Sequence, residues 1–393
     1  MQRRALIKAM AAAGLLGPSG MSFGSVLRNK YLVLIELSGA NDGLNTLVPY
    51  VSDEYQRLRP TLRVGRDGVI PIGSSASVGD LGMTTHLAQV MDASWEQDMA
   101  VVTGVGYPQQ NRSHFSSIAL WETGSDGVRK VHQGWPTATL ERVYAGRSAQ
   151  IHGVTLNGSM GLFEGGSGVY VSLASLRQLR AFDAGVMPDT GNALLQLMNK
   201  RKTDLSLASG HLSKALEEYD PNRLPVQMRQ SALGRQLRDV LRTIGADMSV
   251  PVMHVQQRSY DTHKAQGYRH GRLLEDLSAN LALFRQGVRA MGRWDDVLVM
   301  TYCEFGRRVQ ENGNAGTDHG TANTHFLMGG RVNPGLYGDH PSLSALVDFD
   351  MQHTMDYRAI YDQVCQHWFR DPAEPWAAYR DPRLNHLIDT TYT

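Results

Sequence analysis

Long apolar runs, each broken by a glycine-rich polar stretch, set out this chain. Tyr31–Leu37 (YLVLIEL), Met99–Val105 (MAVVTGV), Pro251–Gln256 (PVMHVQ) and Val297–Tyr302 (VLVMTY) have the near-continuous hydrophobicity of strands buried on both faces. A fifth strand-like run covers Thr324–Met328. Helical periodicity is clearest over Leu273–Met291, where apolar residues recur mostly at steps of three and four. Shorter helices are predicted at Leu87–Trp95 and Ser116–Glu122. Amphipathic helices are predicted at Asn192–Lys200, Leu205–Tyr219 and Gln227–Ile244. The block 125–250 holds most of these and reads as a helical insertion or cap. Strand 251–256, helix 273–291 and strand 297–302 form a βαβ crossover, so those two strands should run parallel.

Parallel strands place the loops after them on one edge of the sheet, where α/β proteins bind their ligands. Here those loops are the polar ones. After the first strand comes Asp42, between Gly39 and Gly43. It reads either as an Asx-turn residue or as a site carboxylate. After the second come Arg112, Ser113 and His114, just before a helix. Ser113 reads as an N-cap or as a nucleophile set among free helix N–H groups. After the third come Asp261 and His263, two residues apart. After the fourth comes Glu304, and Asp318 and His319 precede the last strand. Carboxylates and imidazoles together suit Zn, Mn or Fe better than Mg or Ca, which prefer oxygen alone. A set of this size can seat one or two divalent ions, and two would clamp both oxygens of a phosphoryl displacement.

Charge adds no nucleic-acid signal, since 39 Lys and Arg balance 38 Asp and Glu. The two cysteines, Cys303 and Cys365, cannot build a disulfide framework. The first residues, with Arg3-Arg4 before a weakly apolar Gly/Ala-rich run, read as a twin-arginine export signal over residues 1–28. That run is too short and too rich in Gly, Pro and Ser to span a membrane. The remaining 29–393 is expected to be one domain, exported by the twin-arginine translocase to the periplasm or cell exterior. Other chemistries lack their residues. The one G-x-S-x-G, at Gly20–Gly24, follows no strand, and no Walker A, H-E-x-x-H or C/S-x-P-x-R sequence occurs.

The motifs resemble those of the DUF1501 family. They are Gly39–Pro49 (GANDGLNTLVP), Asn111–Phe115 (NRSHF), Tyr260–Gln266 (YDTHKAQ), Cys303–Arg307 (CEFGR), Gly316–Gly320 (GTDHG) and Asp356–Arg358 (DYR). Cys303 replaces the usual Ser, and Tyr260 the usual Trp or Phe. The family in turn resembles a distant branch of the alkaline phosphatase and sulfatase superfamily. That resemblance implies a three-layer α/β/α sandwich with a mostly parallel central sheet. It also implies a metal-dependent hydrolase or transferase acting on a phosphate or sulfate ester, of a small molecule, a glycan or a lipid headgroup. In this reading Ser113 is the nucleophile and His114 an acid–base group or a ligand. Asp42, Asp261, His263, Glu304, Asp318 and His319 hold one or two divalent ions, Zn or Mn. Arg112, Arg307 and Asn45 bind the ester. Phe305 departs from the superfamily pattern, because it stands where that pattern has a metal-binding His. The departure opens a second reading, a catalytically degenerate module that binds a partner protein or polysaccharide at the cell envelope.

Overall fold

The computed structural model describes residues 29–127, 131–145, 151–156, 159–176, 185 and 191–391. The expected export segment, Arg3 and Arg4 included, lies outside them. In chain order the described strands are β1 (Tyr31–Leu37), β2 (Leu47–Val48), β3 (Val69–Ser75), β4 (Gly79–Thr84), β5 (Met99–Gly106), β6 (Gly153–Thr155), β7 (Tyr170–Ser172), β8 (Val252–Gln257), β9 (Val297–Tyr302), β10 (Arg307–Glu311), β11 (Thr317–His319), β12 (Asn323–Gly329), β13 (Gly335–Tyr337) and β14 (Met355–Asp356). Nine of them make the central sheet, in the order β13-β5-β12-β9-β1-β8-β6-β7 with β14 also on β5. Every pairing described in this sheet is parallel except those of β12, which runs antiparallel to β5 and β9.

The expected strands form because their apolar side chains can be buried on both faces at once. All seven residues of β1 are buried. Tyr31, Val33, Ile35 and Leu37 face a core completed by the helices Ala88–Ser94, Ala193–Glu218, Ala232–Gly245 and Gln266–Ala290. Leu32 and Leu34 face the opposite core, under the helices His114–Thr123, Thr137–Val143 and Arg358–Gln363. The result is three layers, helices on both sides of a mostly parallel sheet. The register levels the strand ends: Leu37 lies opposite Gln257, and Glu36 opposite Tyr302. The loops after β1, β8 and β9 therefore leave the sheet at the same height. β8 and β9 are parallel as expected, with β1 between them.

Three features differ from the sequence reading. The block 125–250 is not only a cap, because it supplies β6 and β7 to the central sheet beside β8. β6 is three residues long, too short for a periodic signal. The two helices expected between 192 and 219 are one, Ala193–Glu218, capped by the Asn192 side chain. The helix expected from Gln227 begins at Ala232, because Ser231 caps it by accepting from the Gly234 N–H.

Candidate metal centre

Three loops at the common edge meet around Asp261 and His319. The loop after β5 ends at Ser113, the N-cap of helix His114–Thr123. The loop after β8 carries Asp261 and His263. After β9, Glu304 leads into the antiparallel pair β10–β11, which ends on Asp318 and His319. The loops are packed backbone to backbone. Gly39, just past β1, has φ +103°, and a Cβ there would lie 2.5 Å from the Asp261 amide nitrogen.

His114 Nε2, His319 Nε2 and Asp261 Oδ1 form a triangle with sides of 3.1, 3.4 and 3.5 Å. His263 Nε2 reaches two of the same atoms, at 2.9 Å from His319 Nε2 and 3.0 Å from Asp261 Oδ1. Ligand atoms at about 2.0–2.1 Å from a tetrahedral ion stand about 3.3 Å apart. His114, Asp261 and His319 therefore form a group that can hold a divalent metal, with His263 on its edge. Two or three imidazoles with one carboxylate make a borderline-soft donor set, which suits Zn or Mn over Mg or Ca.

Each imidazole is held from behind. His319 Nδ1 lies 2.8 Å from the Arg112 carbonyl, His114 Nδ1 3.2 Å from Glu304 Oε1, and His263 Nδ1 3.0 Å from Asp318 Oδ1. A carbonyl oxygen only accepts, so His319 carries its proton on Nδ1 and turns a bare Nε2 inward. Carboxylates impose the same tautomer on the other two. Without a cation, lone pairs would face lone pairs across about 3 Å. The Glu304 hydrogen bond holds the His114 imidazole above its ordinary pKa, whereas burial holds His319 below it. Burial would raise Asp261, but the Arg307 guanidinium, bonded to it at 2.7 Å, keeps its carboxyl below the usual range.

The remaining residues singled out by sequence sit elsewhere or do other work. Asp42 does not join the group. It is fully buried and pairs with Arg59 Nη1 at 2.5 Å, while accepting from Gln266 Nε2 and the Leu44 N–H. Asn45 is locked in the same knot, accepting from Arg59 and Tyr55 and donating to the Leu62 carbonyl. Glu304 stands one step behind the centre. Its carboxylate accepts from the Gly39 and Ala40 N–H groups and orients His114. Asp318, also behind, accepts from Asn312 Nδ2 at 3.1 Å and orients His263. Arg307 is buried and spends its donors on Asp261 and the carbonyls of Ala40, Thr317, Tyr260 and Gly39. It therefore positions Asp261 from the interior and exposes no donor to an ester. Arg112 pairs with Asp350 Oδ2 at 3.2 Å and stays partly exposed. Ser113 is exposed, its N–H held by Asn111 Oδ1. Phe305 is buried, with its ring 4.9 Å from His114 and 4.8 Å from His319. An apolar wall thus stands beside the imidazoles. Burial pushes the Cys303 thiol up, which makes it inert.

Sequence reasoning missed Arg59 and Gln266. Gln266 closes the Tyr260–Gln266 motif, and its bonds to Asp42, Thr262 and Thr317 explain a glutamine there. Arg59 lies 17 positions beyond Asp42 with no local pattern to announce it.

A family model described as "Protein of unknown function (DUF1501)" matches residues 185–371. Over those residues the chain is similar to the DUF1501 family. The DUF1501 match includes Asp261, His263, Glu304, Asp318 and His319, whereas Asp42 and His114 precede it. No functionally curated protein matches the sequence. Among solved structures, the chain is similar to the PsFucS1 sulfatase from Pseudoalteromonas sp., at 11% identity and TM-score 0.44, over 92% of this chain and 73% of that one. It is also similar to the lipoteichoic acid synthase LtaP from Listeria monocytogenes, at 10% identity and TM-score 0.33, over 84% and 73%. A protein in the alkaline phosphatase superfamily from Vibrio parahaemolyticus is similar at 10% identity and TM-score 0.31, over 87% and 72%.

Proposed function

We propose that this chain is an exported metal-dependent hydrolase or transferase of phosphate or sulfate esters. One observation carries the reading: His114, His263 and His319 are each tied through Nδ1 to an acceptor and turn Nε2 toward a single carboxylate oxygen. Zn or Mn suits those donors, and a bound ion would supply a Lewis acid to the ester oxygens. His114 acts as a ligand here and not as an acid–base group, because both its nitrogens are engaged. Ser113 presents its hydroxyl at the N-terminus of a ten-residue helix, with no hydrogen bond to that oxygen among the described residues. Its Oγ forms the new bond to phosphorus or sulfur while the ester oxygen leaves as the alcohol, taking up the proton that the serine gives up. Water, or a second alcohol in a transferase, then releases the group from Ser113. Arg112, partly exposed, meets the anionic oxygens.

The substrate in this proposal is a small-molecule, glycan or lipid ester. Export by the twin-arginine translocase and a periplasmic or extracellular site belong to the same proposal. Among the described residues, no helix is long and apolar enough to cross a membrane. A second reading, an envelope module that binds a partner protein or polysaccharide without turnover, is favoured by Phe305 against the imidazoles. The test is metal analysis of the purified chain, then turnover of aryl phosphate and aryl sulfate by wild type, Ser113→Ala and His319→Ala. The ester reading expects stoichiometric metal that His319→Ala loses, and turnover lost in both variants. A metal-bearing chain that cleaves neither ester would favour the binding module, and a metal-free chain would overturn the centre itself.

A further inference from the structure

We propose that Phe115 and Phe349 form an aromatic grip at the mouth of the metal centre, selecting esters whose alcohol carries a ring with a stacking face over open-chain esters. This rests on the ester reading above and adds a substrate class to it. Phenylalanine is normally an interior residue. In this chain Phe163, Phe284, Phe305, Phe326 and Phe369 are 5% exposed or less, whereas Phe115 is 89% exposed and Phe349 75%. Both exceptions are fastened to the same few residues. Phe115 directly follows the ligand His114 in the first turn of its helix. Phe349 sits at the tip of a tight turn in which Val347 and Asp350 exchange both backbone hydrogen bonds, each 2.9 Å.

That turn is aimed at cost. Asp348 has φ 50° and Phe349 φ 62°, the left-handed region that non-glycine residues avoid. It is also tied down on both sides. The buried Asp350 carboxylate pairs with Arg112, whose carbonyl holds the His319 imidazole. The Met351 carbonyl accepts from Thr321, two residues past His319. An apolar ring held outward in a strained conformation, two contacts from a metal ligand, has no packing role in the fold.

The chemistry of such a rim is specific. A phenyl ring offers a flat apolar face and no hydrogen bond, so it recognises shape and not polar pattern. In the ester reading the nearby centre takes an anionic ester group. Its complement is a molecule with that group attached beside a ring face, which the C–H face of a sugar or the plane of a nucleobase provides and an alkyl chain does not.

The experiment uses the metal-loaded full chain and three phosphate esters, or the matching sulfates: a hexose ester, a nucleoside ester and the butyl ester. For Phe115→Ala and Phe349→Ala, the ratio of kcat/KM on the better ring ester to that on the butyl ester should fall about tenfold, mainly through KM. The arm that loses selectivity tells sugar from base. Binding of the corresponding non-hydrolysable ring and butyl phosphonates, followed by saturation-transfer NMR, reads the grip without turnover. Ring-selective binding that both variants lose, in a protein that cleaves nothing, would sink the ester reading and keep the grip. Equal loss on ring and butyl ligands, or no selectivity in the wild type, would overturn the grip. Both side chains are exposed, so unchanged thermal midpoints are expected to confirm that the variants fold.

Discussion

The pairing of Asp42 with Arg59 makes a sharp prediction, because Asp42 looks like a metal ligand in sequence and is an interior ion pair in the structure. Both side chains are fully buried, and the carboxylate accepts three hydrogen bonds, from Arg59, Gln266 and the Leu44 N–H. Asp42→Asn keeps the shape and replaces one accepting oxygen with a donor that faces another donor. Removing one partner of a buried pair costs about 3–5 kcal/mol. That is a large share of the roughly 5–15 kcal/mol that holds a domain folded. The assay is urea unfolding of the full chain with and without a chelator, with metal content measured alongside. The expected loss is the same in both conditions, and the metal content of the folded variant is unchanged. Arg59→Met should cost a similar amount, and the double variant less than the sum of the two. Arg59 and its hydrogen bonds hold the Asp42 carboxyl below its usual range against the upward push of burial. Its contribution is therefore present above the unfolded pKa of about 3.9 and lost as pH falls through the lower folded value, so Asp42→Asn should also flatten the acid limb. A destabilisation that disappears in chelator would refute the reasoning and return Asp42 to the metal.

Two further expectations concern residues behind the centre and beneath it. Glu304→Gln keeps an acceptor for the Gly39 and Ala40 N–H groups but weakens the hold on His114. Metal affinity by competition titration should fall about 10–100-fold, and no change would remove Glu304 from the design. Glu122, on the helix that carries His114, has its carboxyl pushed up to about 8, first by burial and then by Glu36 and Glu164. Because the folded state keeps a proton that the unfolded state gives up, stability should drain as pH rises from about 4.5 to about 8, by an amount on the order of 3–5 kcal/mol. Glu122→Gln should therefore match wild type at low pH and gain over it up to pH 8, and a pH-independent difference would refute that.

Much of the scaffold was readable because strands buried on both faces leave continuous apolar runs, as β1, β5, β8 and β9 do. Their parallel direction was enough to bring the loops of Asp261 and His114 to one edge. The division of labour among the polar residues was not readable. Whether a carboxylate meets a metal, an imidazole or an arginine is decided by side-chain reach across loops far apart in sequence. Glu304 and Asp318 look like ligands until the imidazoles are seen to stand in front of them. His114 reads in sequence either as an acid–base group or as a ligand, and only the structure shows that one ring nitrogen meets Glu304 and the other His319. The direction of β12 was equally hidden, since an apolar run reads the same either way.

That antiparallel strand has a consequence for the order in which the protein can come into being. β5, with β13 and β14, makes one block of the sheet, and β9-β1-β8-β6-β7 makes the other. Only β12 joins them among the described strands. His114 hangs from the first block, and Asp261 and His263 from the second. Most of the chain must therefore be synthesised before the ligands can meet, and the joint closes only when residues 323–329 slide in between. Capture of an ion at this centre would mark the joining of the two blocks and not the folding of any one segment. A chain cut short before β12 would keep most of its hydrophobic runs but would have no seam to align them.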